Sequence, residues 1–327
     1  MSNAHGFWRR LLTFLQYALV ASWLAFKEPA DIVVASSGPL SVAIPGLVSH
    51  WLARRPVVFE VRDVLPDTAI EMGLLAGWTA RCAHSLASAM YRCSKHVVAL
   101  SPDMARLINK HAPQAAVTVI PNASDLDLFQ PSNRVPEEIS ERVRGRFVVL
   151  YAGTLGQAND GNEIIELAAE LERRGAKDIA IFVIGTGADL PRLQQARDAF
   201  GLKNIEFLGL RTKEEVASWH AAAALTYLTL RPLPTLWAGS PNKLFDSLAA
   251  GRPIIHNTHG WMKRLLSDAG CGVAVPPRRA DVAADHVLEL RDSPVKRTEM
   301  GQRARALAER HFSREQHAAR FLDLLTL

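Results

Sequence analysis

Short runs of apolar and β-branched residues recur ten times along most of the chain, and helix-like stretches separate most of them. The runs lack the polar alternation of a half-exposed strand, which predicts parallel strands buried on both faces. Strands that alternate with helices in this way predict an α/β fold with doubly wound sheets. The predicted strands are Ile32–Ala35, Val57–Val61, His96–Leu100, Val117–Ile120, Phe147–Tyr151, Ile179–Ile184, Ile205–Leu208, Ala224–Leu230, Ile254–His256 and Gly272–Val275, and the predicted helices include Gly161–Arg174, Leu190–Phe200, Thr212–Ala222 and Pro241–Ala250.

The chain is long enough for two domains, because it has 327 residues and 48% of them are hydrophobic. The segment Phe129–Pro136 interrupts the alternation with prolines and polar residues, which predicts a linker. We therefore expect a Rossmann-like domain over residues 1–135 and a second over residues 136–312. The N-terminal half offers few strands and begins inside a helix, so we expect either that the chain is a fragment or that its first βαβ unit has been lost.

The N-terminal segment has the charged-then-apolar order of a signal peptide, since Arg9 and Arg10 precede a charge-free run over residues 11–26. That run is short for a bilayer span. Its apolar residues recur at helical spacing, which predicts an amphipathic helix that packs within the domain or also touches a membrane surface. The predicted apolar face is Leu11, Leu15, Leu19 or Ala18, Ser22 and Phe26.

The net charge of +5, from 38 Lys and Arg against 33 Asp and Glu, suits an anionic small ligand or an acidic membrane surface. The chain has no long Lys/Arg tract, so we expect no nucleic-acid partner. The three cysteines form no CxxC pair, which indicates a reducing, cytoplasmic compartment. The 11 histidines show no H-x-x-x-H spacing and no G-x-S-x-G motif is present, so we expect neither metal-dependent nor serine hydrolysis.

One helix has the features of a phosphate site. Ser240 is a suitable N-cap, and Pro241 suits the first helical position. Asn242 and Lys243 then fall in the first turn, where free N–H groups and the helix dipole attract an anion. Asp246 lies on the same face, where its carboxylate can hold sugar hydroxyls. The alternative is a capped surface helix with an ion pair between the lysine and the aspartate.

Two glycine turns follow strands of the second domain. Gly153, Thr154 and Gly156 follow the first strand, and Gly185 and Gly187 follow the next. Glycines at such positions let backbone N–H groups approach a phosphate, a base or a ribose closely. The alternative is that both are ordinary tight turns between a strand and a helix.

Charged residues follow two further strands. Arg231 comes directly after Ala224–Leu230, where it can reach the same phosphates, unless it is a solvated loop residue. Arg62 and Asp63 come after Val57–Val61, where a carboxylate can bind or activate an acceptor hydroxyl. The alternative for this pair is a structural ion pair within the first domain.

Five motifs together resemble those of glycosyltransferase family 4, in the branch that builds bacterial O-antigen and capsule sugars. The resemblance covers nearly all of residues 7–325. It implies a GT-B fold, with a nucleotide-sugar donor in the C-terminal domain and the acceptor in the N-terminal domain. It further implies that a helix over residues 313–327 packs back on the first domain. It also implies retention of anomeric configuration with no metal or other cofactor. The motifs are Glu60–Pro66, Ile120–Ala123, Ala152–Gly156, Gly185–Gly187 and Ser240–Asp246.

The resemblance also implies a hexosyltransferase that takes a sugar from a nucleotide diphosphate, which we expect to be UDP. The expected acceptor is a glycan or lipid-linked molecule in the synthesis of lipopolysaccharide or another surface polysaccharide. Such an enzyme is expected in the cytoplasm, where it can also bind peripherally to the cytoplasmic face of the inner membrane.

This chain departs from the family pattern at the diphosphate. Many members carry an arginine and a lysine after the glycine turn, where Thr154 and Asn159 stand here. We therefore expect Lys243 and Arg231 to supply the missing positive charge. In the first domain, Arg62 stands where many members have a histidine before the aspartate.

The chain also departs at the two acids of an E-x7-E motif, of which the second holds the donor ribose in that family. Asp246 stands in the place of the second acid and Ala238 in the place of the first. Because alanine cannot replace the first acid, one alternative is an inactive remnant that binds nucleotide without transferring a sugar. A GT-B nucleotide-sugar epimerase is a further alternative, which calls for extra acid pairs that the sequence does not show.

Overall fold

The computed structural model describes residues 7–326, apart from the side chains of residues 7–12 and 15. The predicted roles of Arg9, Arg10, Leu11 and Leu15 lie outside this described part. The chain forms two compact units. The first is built from the residues up to Pro121 together with Ala238–Ser240 and the stretch from His317 onward. The second is built from Asn122–Trp237 and Pro241–Gln316.

The first unit contains a parallel four-stranded sheet whose strands follow one another in chain order. One face of the sheet packs on helices, and the other contacts Phe321 and Leu324 near the end of the chain. Its strands are β1 (Val33–Ser36), β2 (Val57–Val61), β3 (His96–Ala99) and β4 (Val117–Val119), and its helices are α1 (Phe7–Lys27), α2 (Ala43–Trp51), α3 (Asp67–Glu71), α4 (Gly77–Cys93) and α5 (Pro102–His111).

The second unit contains a parallel six-stranded sheet with helices on both faces. Its strands are β5 (Phe147–Ala152), β6 (Ile179–Ile184), β7 (Ile205–Gly209), β8 (Leu225–Leu228), β9 (Ile254–His256) and β10 (Gly272–Ala274). Its helices are α6 (Glu137–Val143), α7 (Asn162–Arg173), α8 (Leu190–Ala199), α9 (Lys213–Ala222), α10 (Pro234–Trp237), α11 (Asn242–Ala249), α12 (Gly260–Asp268), α13 (Ala280–Asp292) and α14 (Pro294–His311), and α15 (Arg314–Thr326) begins in this unit.

The order of the six strands is β7-β6-β5-β8-β9-β10, so the direction of strand addition reverses between β5 and β8. This is the strand order of a Rossmann sheet, in which ligands bind at the reversal, beyond the carboxyl ends of the strands. The α/β prediction with doubly wound sheets is confirmed, and each of the ten predicted strands is present.

Strand β8 ends at Leu228, two residues before the predicted end at Leu230. Polar groups of Thr229 and Leu230 form hydrogen bonds to loops instead of to the neighbouring strands. The Thr229 hydroxyl donates to the Asn159 carbonyl at 2.6 Å, and the Leu230 N–H donates to Oδ1 of Asn257 at 2.9 Å. These bonds join the end of β8 to the loops that follow β5 and β9.

The division between the two units falls after Pro121, whereas the sequence places the boundary at residue 135. Phe129 begins the predicted linker, but its side chain is 1% exposed in the core of the second unit. The Arg305 guanidinium donates to the carbonyls of Leu126 and Phe129 at 3.1 and 2.7 Å. Prolines and polar residues therefore mark an ordered segment here, because its apolar side chains and carbonyls have partners within the second unit.

Helix α1 confirms the predicted N-terminal helix, and of the two predicted alternatives at one position of its apolar face Ala18 is the buried one. Leu19 and Phe26 are 72% and 54% exposed. The helix packs against α2, and among its described side chains Tyr17 and Trp23 are also exposed. Among the described residues, no helix has the length and apolar character needed to cross a membrane.

Candidate functional site

A pocket of about 560 Å³ lies in the second unit, at the carboxyl ends of β5, β6 and β7 and at the start of α11. This volume is within the range of small-molecule sites. The position agrees with the reversal of strand order between β5 and β8. The lining residues are Phe129, Ala152, Gly153, Thr154, Asn159, Ile184, Gly185, Thr186, Leu210, Arg211, Lys213, Val216, Pro241, Asn242, Lys243 and Asp246.

Helix α11 begins at Asn242, with Pro241 in the N-cap position, so the prediction that Ser240 caps it is wrong. Pro241 has extended backbone angles (φ −72°, ψ 131°), because its ring fixes φ and its ψ has not yet turned helical. Pro241 makes no side-chain cap hydrogen bond, which leaves the first N–H groups of the helix for other partners such as a ligand or water. The helix stops before Gly251, whose φ of +62° fits the predicted left-handed C-terminal position.

Lys243 is surrounded by neutral oxygens. Its ammonium donates to Oη of Tyr151 at 2.9 Å, to Oδ1 of Asn159 at 2.8 Å and to the Thr229 carbonyl at 3.4 Å. It also lies 4.5 Å from the centre of the Tyr151 ring. Within residues 7–326 it has no ion pair with a carboxylate, which contradicts the alternative of a pair with Asp246.

Desolvation by burial lowers the pKa of Lys243 to about 7. A lysine in these surroundings holds its proton less tightly than in water, because no negative charge compensates the ammonium. An anion that enters the pocket would supply that charge. The side chain is therefore able to pair with an anion, and among the described residues it forms no ion pair with a carboxylate.

Asp246 also lines the pocket, and its carboxylate accepts a hydrogen bond from Oγ of Ser124 at 3.0 Å. Burial raises the pKa of Asp246 to about 6, although Ser124 and the nearby Lys213 and Arg314 act in the opposite direction. At neutral pH the group is mostly ionised and is held in one orientation by the serine. Such a carboxylate can accept hydrogen bonds from sugar hydroxyls.

Of the predicted glycine-turn residues, Gly153, Thr154 and Gly185 line the pocket, whereas Gly156 and Gly187 are absent from its lining. The two turns pack against each other through their backbones, since the Gly153 N–H donates to the Ile184 carbonyl at 2.9 Å. Glycines in this region therefore leave room for a ligand and allow the two turns to pack closely together.

The packing requirement is severe at two of these glycines. A Cβ atom at Gly185 would lie 1.9 Å from the Gly153 carbonyl oxygen, and φ at Gly185 is +136°. A Cβ atom at Gly187 would lie 2.1 Å from the Leu155 carbonyl oxygen. Close packing is therefore a sufficient physical reason for glycine at both positions, and Gly187 is not among the residues that line the pocket.

Arg231 is absent from the pocket lining. Its N–H donates to the Ala158 carbonyl at 2.9 Å, and its charge acts on Asp160. Burial raises the pKa of Asp160, and Arg278, Arg231 and Arg192 each oppose that rise. The arginine therefore belongs to a group of charges around Asp160, because the chain leaves β8 two residues before the predicted strand end.

Two positively charged residues of the pocket were not predicted from the sequence. Arg211 and Lys213 line the pocket just after β7, and Lys213 lies 3.9 Å from the Asp125 carboxylate. Thr212 caps the helix that follows, with its side chain accepting from the Glu215 N–H. The strand-end rule that identified Gly153 and Gly185 also applies to β7, so this signal was present in the sequence.

In the first unit, Arg62 and Asp63 follow β2 and are exposed. The Arg62 N–H donates to Oγ of Ser37 at 2.8 Å, which holds the turn against the end of β1. Surrounding protein atoms displace part of the water around Asp63, and this desolvation raises its pKa although Arg62 lowers it. Both residues belong to the first unit and are not among the residues that line the pocket.

Family models match both parts of the chain. The model described as glycosyl transferases group 1 matches residues 136–307, and that of the glycosyl transferase 4-like domain matches residues 3–123.

Two curated relatives show the range of similarity. The chain is 28% identical over 179 residues to the alpha-D-kanosaminyltransferase of Streptomyces kanamyceticus, covering 54% of this chain and 45% of that protein. It is 23% identical over 306 residues to the putative colanic acid biosynthesis glycosyl transferase WcaI of Escherichia coli K12, covering 87% and 71%. The chain spans about half the length of the first curated relatives it matches, at 45%, 49% and 47%.

Solved structures share the fold. Anabaena HepE, in a crystal structure with UDP and glucose, matches with a TM-score of 0.77 at 19% identity, covering 98% of this chain and 83% of HepE. Sucrose-phosphate synthase from Thermosynechococcus elongatus matches with a TM-score of 0.77 at 16% identity, covering 96% and 78%. Both comparisons extend over the two units described above.

Proposed function

Because the chain belongs to the group 1 glycosyl transferase family, we propose that it is a retaining glycosyltransferase with a UDP-sugar donor. Its acceptor in this proposal is a glycan or a lipid-linked molecule of surface polysaccharide synthesis. The observation that carries the proposal is Lys243, a partly buried lysine at the start of α11 that has no carboxylate partner among the described residues. A diphosphate fits both features, since it is anionic and accepts several hydrogen bonds.

The donor site follows from the pocket lining. We place the diphosphate at Asn242, Lys243 and the turn of Gly153 and Thr154, and the ribose hydroxyls at Asp246. HepE was crystallised with UDP and with UDP-glucose, which supports a uridine donor for a chain of the same fold. The lining gives no place to Arg231, so Arg211 and Lys213 are the further positive charges available there.

In the proposed mechanism, departure of the nucleotide places negative charge on the diphosphate. Lys243 and the first N–H groups of α11 stabilise that charge, which grows in the transition state. The acceptor hydroxyl attacks from the same face of the sugar, and the leaving phosphate takes its proton. Asp63 and Arg62 orient hydroxyl groups in this proposal, and no metal ion takes part.

The proposals for the acceptor and for the cellular location rest on less specific observations than the proposal for the donor. The relative WcaI is named for colanic acid biosynthesis, which supports a surface polysaccharide. The exposed apolar side chains of α1, including Tyr17 and Trp23, and the net charge of +5 suit peripheral contact with an acidic membrane face. We propose the cytoplasmic face of the inner membrane.

One observation favours a second candidate, a remnant that binds nucleotide without transfer. Ala238 stands where the family has its first acid, and it is 2% exposed within the first unit. Its carbonyl accepts a hydrogen bond from Oγ of Ser101. A methyl group at this place cannot bind a donor sugar through hydrogen bonds.

Calorimetric titration with UDP, UMP and uridine tests the donor site first. We expect affinity to rise with each phosphate, because Lys243 and the helix start bind the phosphates rather than the base. Equal affinity for UDP and uridine, or no binding of any of them, would overturn the donor proposal.

A donor panel then separates the enzyme from the remnant. The chain is incubated with several UDP-sugars and an extract of bacterial lipid-linked glycans, without added Mg²⁺ or Mn²⁺, and products are followed by mass spectrometry. Transfer of one sugar with its anomeric configuration retained supports the proposal. Tight UDP binding without transfer from any donor identifies the remnant, and transfer that requires added metal contradicts the metal-free mechanism.

A further inference from the structure

Three side chains from three helices of the first unit meet at one point. Asp67 begins α3, His84 lies within α4 and His111 is the last residue of α5. One possible ligand atom from each lies within 4.8 Å of the other two. The long separations along the chain explain why the histidine spacing showed no metal motif in the sequence.

The geometry within this group is close to that of a metal site. Nε2 of His111 lies 3.1 and 3.3 Å from the two carboxylate oxygens of Asp67, and Nε2 of His84 lies 3.9 Å from one of them. Ligands of a tetrahedral zinc ion, with bonds of about 2.0–2.1 Å, are separated by roughly 3.3 Å. Asp67 and His111 already have that separation, and a small change of side-chain torsion brings His84 to it.

A simple histidine–carboxylate hydrogen bond accounts for only part of this arrangement. One imidazole suffices for such a bond, yet two rings direct Nε2 at the same carboxylate, with ring centres 4.8 Å apart. A divalent cation accepts a lone pair from each ring and from the carboxylate, and so accounts for all three side chains. Within residues 7–326, no lysine or arginine forms an ion pair with Asp67.

The surroundings allow an ion to enter and to be held. The side chains of His84, Asp67 and His111 are 31%, 23% and 23% exposed, so they are neither fully buried nor freely mobile on the surface. The carboxylate charge also lies near the buried side chain of Tyr91, which belongs to the apolar core of the first unit. A bound cation would neutralise that charge at the edge of an apolar core.

We propose that Asp67, His84 and His111 form a binding site for one Zn²⁺ ion, with the fourth position taken by water. Two imidazoles and one carboxylate are ligands that zinc accepts, and three protein ligands with an open position form a known class of zinc site. The ion would join α3, α4 and α5, and α3 begins four residues after Asp63. The site is therefore a brace for the segment that carries Arg62 and Asp63. It is separate from the donor proposal, which uses residues of the second unit.

The test is a calorimetric titration of the metal-stripped full chain with Zn²⁺, in the absence of nucleotide. We expect one ion per chain, and we expect His84→Gln and Asp67→Asn each to weaken binding by about tenfold or more, since each removes a ligand. His286→Gln is the matched control, because His286 pairs with Glu289 at 3.2 Å without a third ligand. This control should bind Zn²⁺ as the parent does.

Two further readouts keep the result independent of folding defects. Circular dichroism checks that each variant is folded, and Co²⁺ replaces Zn²⁺ so that its visible absorption reports the coordination geometry. The parent should give the intense absorption of a tetrahedral site, and Zn²⁺ should raise the midpoint of thermal unfolding. Folded parent protein that binds no Zn²⁺, or a folded His84→Gln variant that binds it equally well, would overturn the proposal.

Discussion

The two units use the same kind of parallel sheet but order their strands differently. The six strands of the second unit reverse direction of addition between β5 and β8, whereas the four described strands of the first follow chain order. At the reversal, loops from neighbouring strands diverge to opposite faces and leave a crevice. The pocket of the second unit lies there and collects residues from four elements. In the first unit, Arg62 and Asp63 follow a single strand.

The difference shows that charged residues at a strand end line a pocket where the strand order brings loops from several strands together. Lys243 is desolvated in the pocket and has no carboxylate partner among the described residues, whereas Arg62 is exposed beside Asp63. Binding energy for an anion should therefore reside in the second unit. Substitutions in the two units should separate binding from later steps.

The largest effect is expected for Gly185→Ala, which tests whether backbone packing builds the pocket. The new Cβ would lie 1.9 Å from the Gly153 carbonyl oxygen at a φ of +136°. We expect the free energy of unfolding of the second unit to fall by about 3 kcal/mol or more, with loss of UDP binding. Urea denaturation measures the first quantity and calorimetry the second.

Gly201→Ala provides the control for this substitution. Gly201 also has a positive φ, +64°, but a Cβ there would meet no atom within 4 Å. It should cost about 1 kcal/mol, because only the backbone conformation is unfavourable. Equal costs at the two positions would show that the close contact between the turns is unimportant.

Asp246→Asn is expected to have an intermediate effect and tests the ribose assignment. Loss of the carboxylate should weaken UDP binding about tenfold, since a hydrogen bond to a charged group contributes roughly 1.5 kcal/mol. The affinity for 2′,3′-dideoxy-UDP should change little. Ser124→Ala, which removes only the 3.0 Å bond that orients the carboxylate, should weaken UDP binding by a factor of about two. An equal loss for both nucleotides would contradict the assignment.

Asp63→Asn is expected to have the smallest effect on nucleotide binding and tests the contrast between the units directly. UDP affinity should stay within about twofold of the parent, because Asp63 belongs to the first unit and is absent from the pocket lining. The rate of sugar transfer should fall, since the proposed role of Asp63 is to orient hydroxyl groups. A loss of UDP affinity as large as that of Asp246→Asn would remove the contrast.

The sequence predicted the sheets well because buried parallel strands have a strong local signature. Apolar runs such as Val57–Val61 and Ile179–Ile184 match the observed strands residue for residue. The predicted boundary at residue 135 differs from the division after Pro121, because prolines and polar residues predict a solvated linker although the segment packs within the second unit. The packing of Phe129 depends on tertiary contacts that no local pattern records.

The site was predicted where it depends on strand ends and helix starts, as at Gly153, Gly185 and Lys243. It was missed where partners are distant in the chain. Ser124 lies far along the chain from Asp246, and nothing in the local sequence indicates their hydrogen bond. Arg231 was assigned to the phosphates because the predicted strand continued to Leu230, although β8 ends at Leu228.

The central claim is that Lys243 binds the diphosphate, and the pH dependence of UDP binding tests it most directly. Because burial lowers its pKa to about 7, Lys243 in the free protein loses its proton as the pH rises through that value. The diphosphate binds the charged form and is itself fully ionised above about pH 7. UDP affinity should therefore fall between pH 7 and pH 9, by at most about tenfold per pH unit.

The measurement is calorimetry with the parent, Lys243→Met, Lys243→Arg and the exposed control Lys263→Met across this pH range. We predict that Lys243→Met binds UDP about 10- to 100-fold more weakly at pH 7 and loses the pH dependence. Lys263→Met should behave as the parent, and Lys243→Arg should lose the decline because arginine stays charged. A Lys243→Met variant with the parent's affinity and the same decline toward pH 9 would contradict the claim.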